Sequence, residues 1–175
     1  MESTKLDDKI ILDATAGFRM MWFNKKHPNC IYLDNRPECE PDIVGDFRDL
    51  KQFPNERFRL IVFDPPYFVK KDLALMTPML RRYGMLQAET WQNDLKLAFK
   101  EFWRILQPYG ILILKWCNFQ IGANEVIKLA PQPPLFYQIS ANRYRQGKRK
   151  GQTAGSDTVQ TLWFCFMKIP KEVGV

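Results

Sequence analysis

Four aspartates stand where an apolar run gives out. Asp13 follows Ile10-Ile11-Leu12, Asp34 follows Cys30-Ile31-Tyr32-Leu33, Asp46 follows Ile43-Val44-Gly45, and Asp64 follows Leu60-Ile61-Val62-Phe63. The fourth run continues into Pro65-Pro66-Tyr67. Prolines cannot donate to a sheet ladder, so the strand stops there and delivers a carboxylate, free carbonyls and a ring to its carboxyl end. In open α/β sheets that end is where ligands bind. Acids crowded on one rim repel each other, so four of them point to a site that uses their charge. Asp34 lies 21 positions beyond Asp13, close to the roughly 20-residue interval between a nucleotide-binding turn and its ribose-binding acid.

The elements that must position these residues are legible as alternating strands and helices. Strands are expected at Ile10–Asp13, Cys30–Leu33, Asp42–Gly45, Leu60–Phe63, Ile111–Trp116, Leu135–Ser140 and Thr161–Lys168. Small residues, Ala14-Thr15-Ala16-Gly17, mark a tight turn after the first strand, and the bulky run Phe18–Phe23 suits a helix packed on the sheet. The clearest helix runs from Trp91 to Leu106 with Thr90 as N-cap. Its apolar stripe is Trp91, Leu95, Phe99, Phe102 and Leu106, with Lys96, Lys100 and Arg104 on a solvated face. Pro108-Tyr109-Gly110 ends it, and a short helix falls at Asn124–Leu129. This alternation, closed by a terminal hairpin, gives an α/β class. The expected architecture is a Rossmann-like, mostly parallel seven-stranded sheet with helices on both faces and an antiparallel last strand.

At 175 residues the chain fits a single domain over 1–175 with no separate target-recognition domain. It is 46% hydrophobic and so globular, and its net charge of +7 favours an anionic partner, nucleic acid first. Four scattered cysteines and one histidine, His27, suggest neither a zinc site nor a disulfide framework, so no metal is expected. The acidic start is no signal peptide and no apolar run spans a bilayer, which reads as a cytoplasmic protein without membrane association.

The turn after the first strand has one glycine, Gly17, and no G-x-G-x-x-G. A pyrophosphate cofactor needs more backbone amides than that. Acids without a phosphate cradle suit a nucleoside that carries positive charge, and S-adenosylmethionine is such a molecule. Asp13-x-x-x-Gly17, then Asp34, Asp46 and Asp64-Pro65-Pro66-Tyr67 in order, with Leu106-Gln107-Pro108-Tyr109-Gly110 before the fifth strand, resembles the class I S-adenosylmethionine-dependent methyltransferases. More narrowly it resembles the DPPY-type amino-methyltransferases of the small phage and prokaryotic kind that act on adenine N6 in DNA.

The resemblance implies roles for this chain's residues. Asp13, Ala14 and Gly17 would line the methionine part of the cofactor, Asp34 would hold the ribose hydroxyls, and Asp46 flanked by Phe47 would bind the cofactor's adenine. Asp64 and the Pro65 carbonyl, followed by Pro66, would take the hydrogens of the target amine, and Tyr67 would stack on its ring. Many relatives carry a second glycine where this chain has Phe18-Arg19. Arg19 is read as a partner for the cofactor carboxylate, or else as a surface helix residue. Trp116 is read either as a wall of the target pocket or as core. A basic loop with Arg143, Arg145, Lys148, Arg149 and Lys150 is read as a phosphate grip, or else as a solvated hairpin. The expected partner is nucleic acid, DNA ahead of RNA, with a recognition subunit or a second copy to supply what a recognition domain would. The alternatives are the same chemistry on RNA or a protein side-chain amide, and a catalytically inactive nucleic-acid-binding module of the same fold.

Overall fold

A computed structural model of the chain describes residues 6–70, 84–140 and 160–170. The strands are β1 (Ile11–Asp13), β2 (Cys30–Asp34), β3 (Ile43–Val44), β4 (Phe58–Phe63), β5 (Val69–Lys70), β6 (Leu86–Gln87), β7 (Leu106–Cys117), β8 (Phe136–Ser140) and β9 (Thr161–Met167). The α-helices are α1 (Trp91–Ile105) and α2 (Ala123–Ile127). Seven strands form one sheet in the order β3-β2-β1-β4-β7-β9-β8, and β5 pairs with β6 in a separate ribbon. The pairs from β3 through to β7 are parallel, and β9, the last strand in sequence, runs antiparallel to both β7 and β8. The strand order reverses between β1 and β4. At such a switch point the connections leave a crevice beyond the carboxyl ends of the strands.

The core lies on one face of the sheet. Leu12, Ile31, Leu33, Ile61, Phe63, Leu112, Leu114, Phe164 and Phe166 alternate inward to meet Leu95, Phe99 and Phe102 of α1 and Val126 of α2. The apolar stripe of α1 therefore packs as its spacing predicts. Arg104, expected on the solvated face, instead turns inward and donates to the carbonyls of Leu50 and Phe53 at 2.9 and 2.8 Å. The opposite face carries a much smaller cluster of Ala16, Cys30 and Tyr32, with Trp22 against it.

Among the described residues both α-helices pack on the same face. The helix expected at Phe18–Phe23 is corrected to a series of turns. Arg19 sits at φ 57, a left-handed conformation that interrupts helical winding, and Met20 and Phe23 point outward. Thr90 stands at the N-cap position of α1 without capping it. Its hydroxyl donates to the Asp94 carboxylate at 2.8 Å instead. The expected strand Ile111–Trp116 begins earlier, at Leu106, through an irregular stretch in which Tyr109 has φ 60 and the register against β4 shifts.

Phe63 is the hub of this packing. It is fully buried, and its ring meets Phe102 at 4.7 Å, Phe47 at 5.2 Å and Phe99 at 6.4 Å, all near edge-to-face. Phe63→Ala is expected to lower the unfolding free energy by about 3–5 kcal/mol, read from urea titration. A loss under about 1 kcal/mol would show that the surrounding rings close the cavity unaided.

Candidate active site

The parallel registers set the acids on one rim. Asp13 is level with Tyr32 on β2 and with Val62 on β4, so Asp34 and Asp64 each lie two residues further along neighbouring strands. The chain turns away at once after β1. The Ala14 amide donates to the Val62 carbonyl, and the Asp64 amide donates to Thr15 Oγ1 at 2.8 Å. This hydroxyl stitches the first turn to the strand end that bears Asp64.

Two cavities open beyond this rim. The first, a cleft of about 240 Å³ open to solvent, is lined by Ala14, Thr15, Asp34, Arg36, Asp46, Phe47, Arg48, Asp64, Pro66 and Gly84, with Asp94 from α1. The second, about 260 Å³, is lined by Asp64, Pro65, Pro66, Tyr67, Phe68, Gly84, Lys115, Cys117 and Thr161. Asp64, Pro66 and Gly84 belong to both and form the wall between them. Gly84 has φ 75, and a Cβ there would come within 3.0 Å of the Pro66 ring, so the wall is closed at a place only glycine fits. Tyr67 and Phe68 lie with ring centres 4.6 Å apart, and Phe119 continues the aromatic row 5.5 Å beyond Phe68.

Each acid on the rim has its own partner. Asp34 is buried and accepts from the Gly17 amide at 2.7 Å, from the Arg36 amide at 3.0 Å, and from Arg36 Nε and a terminal guanidinium nitrogen at 2.9 and 3.1 Å. Burial works to raise its pKa, but the guanidinium and the two amides outweigh it and hold the carboxyl below its ordinary value. Asp46 repeats the arrangement with the amide and guanidinium of Arg48, and it too is held low against burial. Arg48 also reaches Asp94 at 3.0 Å, which ties the cleft to the first turn of α1. Asp64 Oδ2 accepts from Lys115 Nζ at 2.6 Å, while burial raises the carboxyl above its ordinary value and Lys115 opposes that rise.

Asp13 is different in kind. It is 2% exposed, lies outside both cavities, and accepts from Trp22 Nε1 at 2.6 Å and the Thr15 amide at 3.2 Å. Burial pushes its carboxyl up to about 7 although both bonds oppose it, and the charges of Asp64 and Asp34 add to the rise.

This geometry corrects the expectation for Asp13 and places Arg19 and Trp116, each read in two ways, outside both cavities. Asp13 does not line the cleft. It anchors the turn that does, because it faces the thinly covered side of the sheet, where Trp22 closes over it. Arg19 does not reach the cleft either. Its guanidinium lies 4.1 Å from the Tyr32 ring and donates to the carbonyls of Lys25 and Glu40, drawn there by its left-handed backbone. Trp116 is core, 1% exposed, with its indole N–H donating to the Ile121 carbonyl at 3.0 Å. Gly17 touches the site through its amide alone, with φ 48. Arg143, Arg145, Lys148, Arg149 and Lys150 lie outside the described residues, as does much of the segment between β5 and β6. Arg36, Arg48, Asp94 and Lys115 were not singled out by sequence reasoning. The signal for the first two is an Asp-x-Arg triplet repeated at Asp34-Asn35-Arg36 and Asp46-Phe47-Arg48. Among the described residues no cluster of metal-binding side chains occurs, and no helix is long and apolar enough to cross a membrane.

The sequence matches no protein-family model and none of the curated proteins. Solved structures do match. TrmN from Thermus thermophilus superposes with a TM-score of 0.58 at 13% identity, over 93% of this chain and 44% of that one. An S-adenosylmethionine-dependent methyltransferase from Methanosarcina mazei superposes at 0.54 and 11% identity, over 94% of each chain. The chain shares the α/β fold of these structures, a mostly parallel sheet with an antiparallel last strand. A candidate DNA modification methylase, also from Thermus thermophilus, matches at 19% identity with a TM-score of 0.48, over 75% of this chain and 53% of that one. This chain thus spans about half the length of the two Thermus proteins and nearly all of the Methanosarcina one. In an open α/β sheet the crevice beyond β1, β2 and β4 is the natural place for a ligand, and here it is the first cleft.

Protonation of Asp13 leaves a mark on stability. The folded state holds a proton at Asp13 that the unfolded chain has released above about pH 4. The stabilisation from that proton is complete below the unfolded value and is lost as pH rises through about 7. Between pH 5 and pH 8 the native chain is expected to lose on the order of 2 kcal/mol more unfolding free energy than the Asp13→Asn variant, measured by urea titration. Parallel pH profiles would mean that Asp13 is ionised throughout.

Proposed function

We propose that the chain is an S-adenosylmethionine-dependent methyltransferase that methylates an exocyclic amine of a nucleic-acid base, adenine N6 in DNA being the first substrate to test. One observation carries the reading: a single carboxylate, Asp64, stands in the wall between an acid-lined cleft and an aromatic-lined cavity. A methyl donor on one side and an acceptor amine on the other would meet there.

The cleft's residues suit the donor. Asp46 beside Phe47 offers an acceptor and a ring for an adenine, and Asp34 offers a carboxylate for a ribose, with Thr15 and Ala14 toward the Asp64 wall. The turn after β1 has one glycine and no G-x-G-x-x-G to cradle phosphates. The bound cofactor supplies an electrophilic methyl whose transfer leaves a neutral thioether. Asp64 and the Pro65 carbonyl would accept the two hydrogens of the target amine, whose lone pair is otherwise delocalised into its ring. That grip favours a pyramidal nitrogen and aims its lone pair at the methyl. The nitrogen would gain the methyl as the sulfur–methyl bond breaks, and would release one proton to solvent. Tyr67, with Phe68 behind it, would hold the ring by stacking, worth about 1–3 kcal/mol per base. Such a mechanism works through position and electrostatics. A base within a duplex must first be swung out of the stack to reach the cavity.

The deciding experiment incubates the chain with S-adenosylmethionine and DNA, RNA or protein extract, followed by mass spectrometry of nucleosides and peptides. N6-methyladenine in the DNA arm is the expected product. Methyl transfer confined to RNA or to a peptide amide would move the substrate assignment, and no transfer in any arm would defeat the reading. Asp64→Ala is expected to abolish transfer while leaving cofactor affinity within a few-fold.

The saturated state of Asp34 generates a second expectation. A ribose can reach that carboxylate only where the Arg36 guanidinium withdraws. Arg36→Ala is therefore expected to tighten S-adenosylmethionine binding about tenfold in calorimetry, the worth of one charge-assisted hydrogen bond no longer displaced. Weaker binding in that variant would make Arg36 part of the cofactor's own site.

A further inference from the structure

β4 and β7 run parallel with Phe63 opposite Leu114, so the next step of the register sets Asp64 beside Lys115 on the same face. The ammonium lies 2.6 Å from Asp64 Oδ2, and both side chains are a little under one-third exposed, at 28% for the acid and 29% for the base. Lys115 is in turn the register partner of Trp163 on β9, whose ring centre is 5.7 Å from the ammonium. Two neighbouring strands and an aromatic ring thus fix where this charge sits. We propose that Lys115 is a positioning residue for the reaction. It is the built-in counter-ion that keeps Asp64 a charged acceptor in the wall between the cavities and restricts that acceptor to neutral amines. This inference rests on the methyl-transfer reading and adds the partner that makes Asp64 fit for it.

The reasoning is electrostatic. A carboxylate drawn out of water tends to take up a proton, and a protonated carboxyl turns one of its two acceptor oxygens into a donor. The groups facing Asp64 do not otherwise prevent this. Asp13 on β1 is an acid, Cys117 on β7 is a thiol raised by burial, Tyr67 is a phenol, and Thr161 on β9 is uncharged. Among the described residues Lys115 is the one cation that acts on Asp64. Its placement also selects the acceptor. The amine of a base is neutral and can share the carboxylate with the ammonium. A lysine side chain or a chain terminus would bring a second positive charge to the same oxygens and be repelled.

The test compares wild type with Lys115→Met and Lys115→Arg, by carboxyl carbon NMR titration of Asp64 and by the pH profile of kcat/KM for methyl transfer. Asp64→Asn identifies the resonance. With methionine the midpoint of Asp64 and the acid limb of the profile are expected to rise by about 1–3 pH units, the effect of removing one adjacent opposite charge. With arginine both should stay near wild type. An unmoved midpoint in Lys115→Met overturns the inference even where wild type methylates a base. Should wild type transfer no methyl group, the parent reading fails, and the positioning role fails with it. The NMR titration would then still report whether Lys115 holds Asp64 ionised. If Lys115→Met does not fold, Lys115→Gln supplies the same readouts.

Discussion

Four carboxylates converge on a rim that is partly shielded from water, and the sheet can close only where each is compensated. Removing a carboxylate from water without a partner costs several kcal/mol. The chain meets this constraint in three ways. Asp13 shares a proton equilibrium near neutrality with its indole and amide donors. Asp34 and Asp46 each take a guanidinium from two residues downstream. Asp64 alone takes its partner from another strand. The local pairs form within a turn and are independent of the sheet's register. The fourth pair exists only when β4 and β7 are aligned, so the site's acceptor is assembled by the tertiary fold itself.

The core and the rim are linked through a few aromatic contacts. Phe63 immediately precedes Asp64, and its ring bears on α1 through Phe99 and Phe102 and on the cleft through Phe47. The ring on the cleft wall is therefore held by the same packing that seats α1. Asp94 adds a polar link from the first turn of α1 to Arg48, and through it to Asp46. Interiors packed at this density have few soft modes, so side chains at the cleft are expected to stay where the core puts them. The opposite face has only Trp22, Tyr32 and their neighbours for cover among the described residues, and there the β1–β2 connection runs as turns, with Arg19 left-handed and Phe23 outward.

Most of the fold was legible because period and composition carry it. Fully apolar runs marked β1, β2 and β4, the three-or-four spacing of Leu95, Phe99 and Phe102 marked α1, and the proline pair marked the end of β4. The acids were legible as strand ends for the same reason. What they touch was not. Arg36 and Arg48 pair locally, a contact that leaves no periodic trace, and Lys115 pairs through a register that no single segment encodes. Phe18–Phe23 misled because bulk alone was read as helix, whereas Trp22 is the one residue of that run held against the smaller core by its indole. Trp116 lay at the right sheet edge but on the packed face. Strand alternation sends it to Leu162 and the core, and sends Lys115, one residue earlier, to Asp64.

The arginine pairs bear on how a cleft of this kind discriminates. A carboxylate that already accepts four hydrogen bonds gains nothing from a ligand that merely replaces them. The exchange is close to neutral at Asp34 and at Asp46. Net affinity must then come from groups that are not already satisfied, chiefly the exposed part of Phe47 and the charge of the rim as a whole. An uncharged nucleoside would draw on the first alone. A nucleoside bearing a positive centre would draw on both, since Lys115 already offsets Asp64 and the charge left over is that of Asp13. That second term shrinks when Asp13 is protonated, so affinity for a cationic ligand should grow as pH rises through about 7, while affinity for a neutral nucleoside should not. Selectivity for a sulfonium over its neutral thioether would in that case be set in part by a buried acid that touches neither.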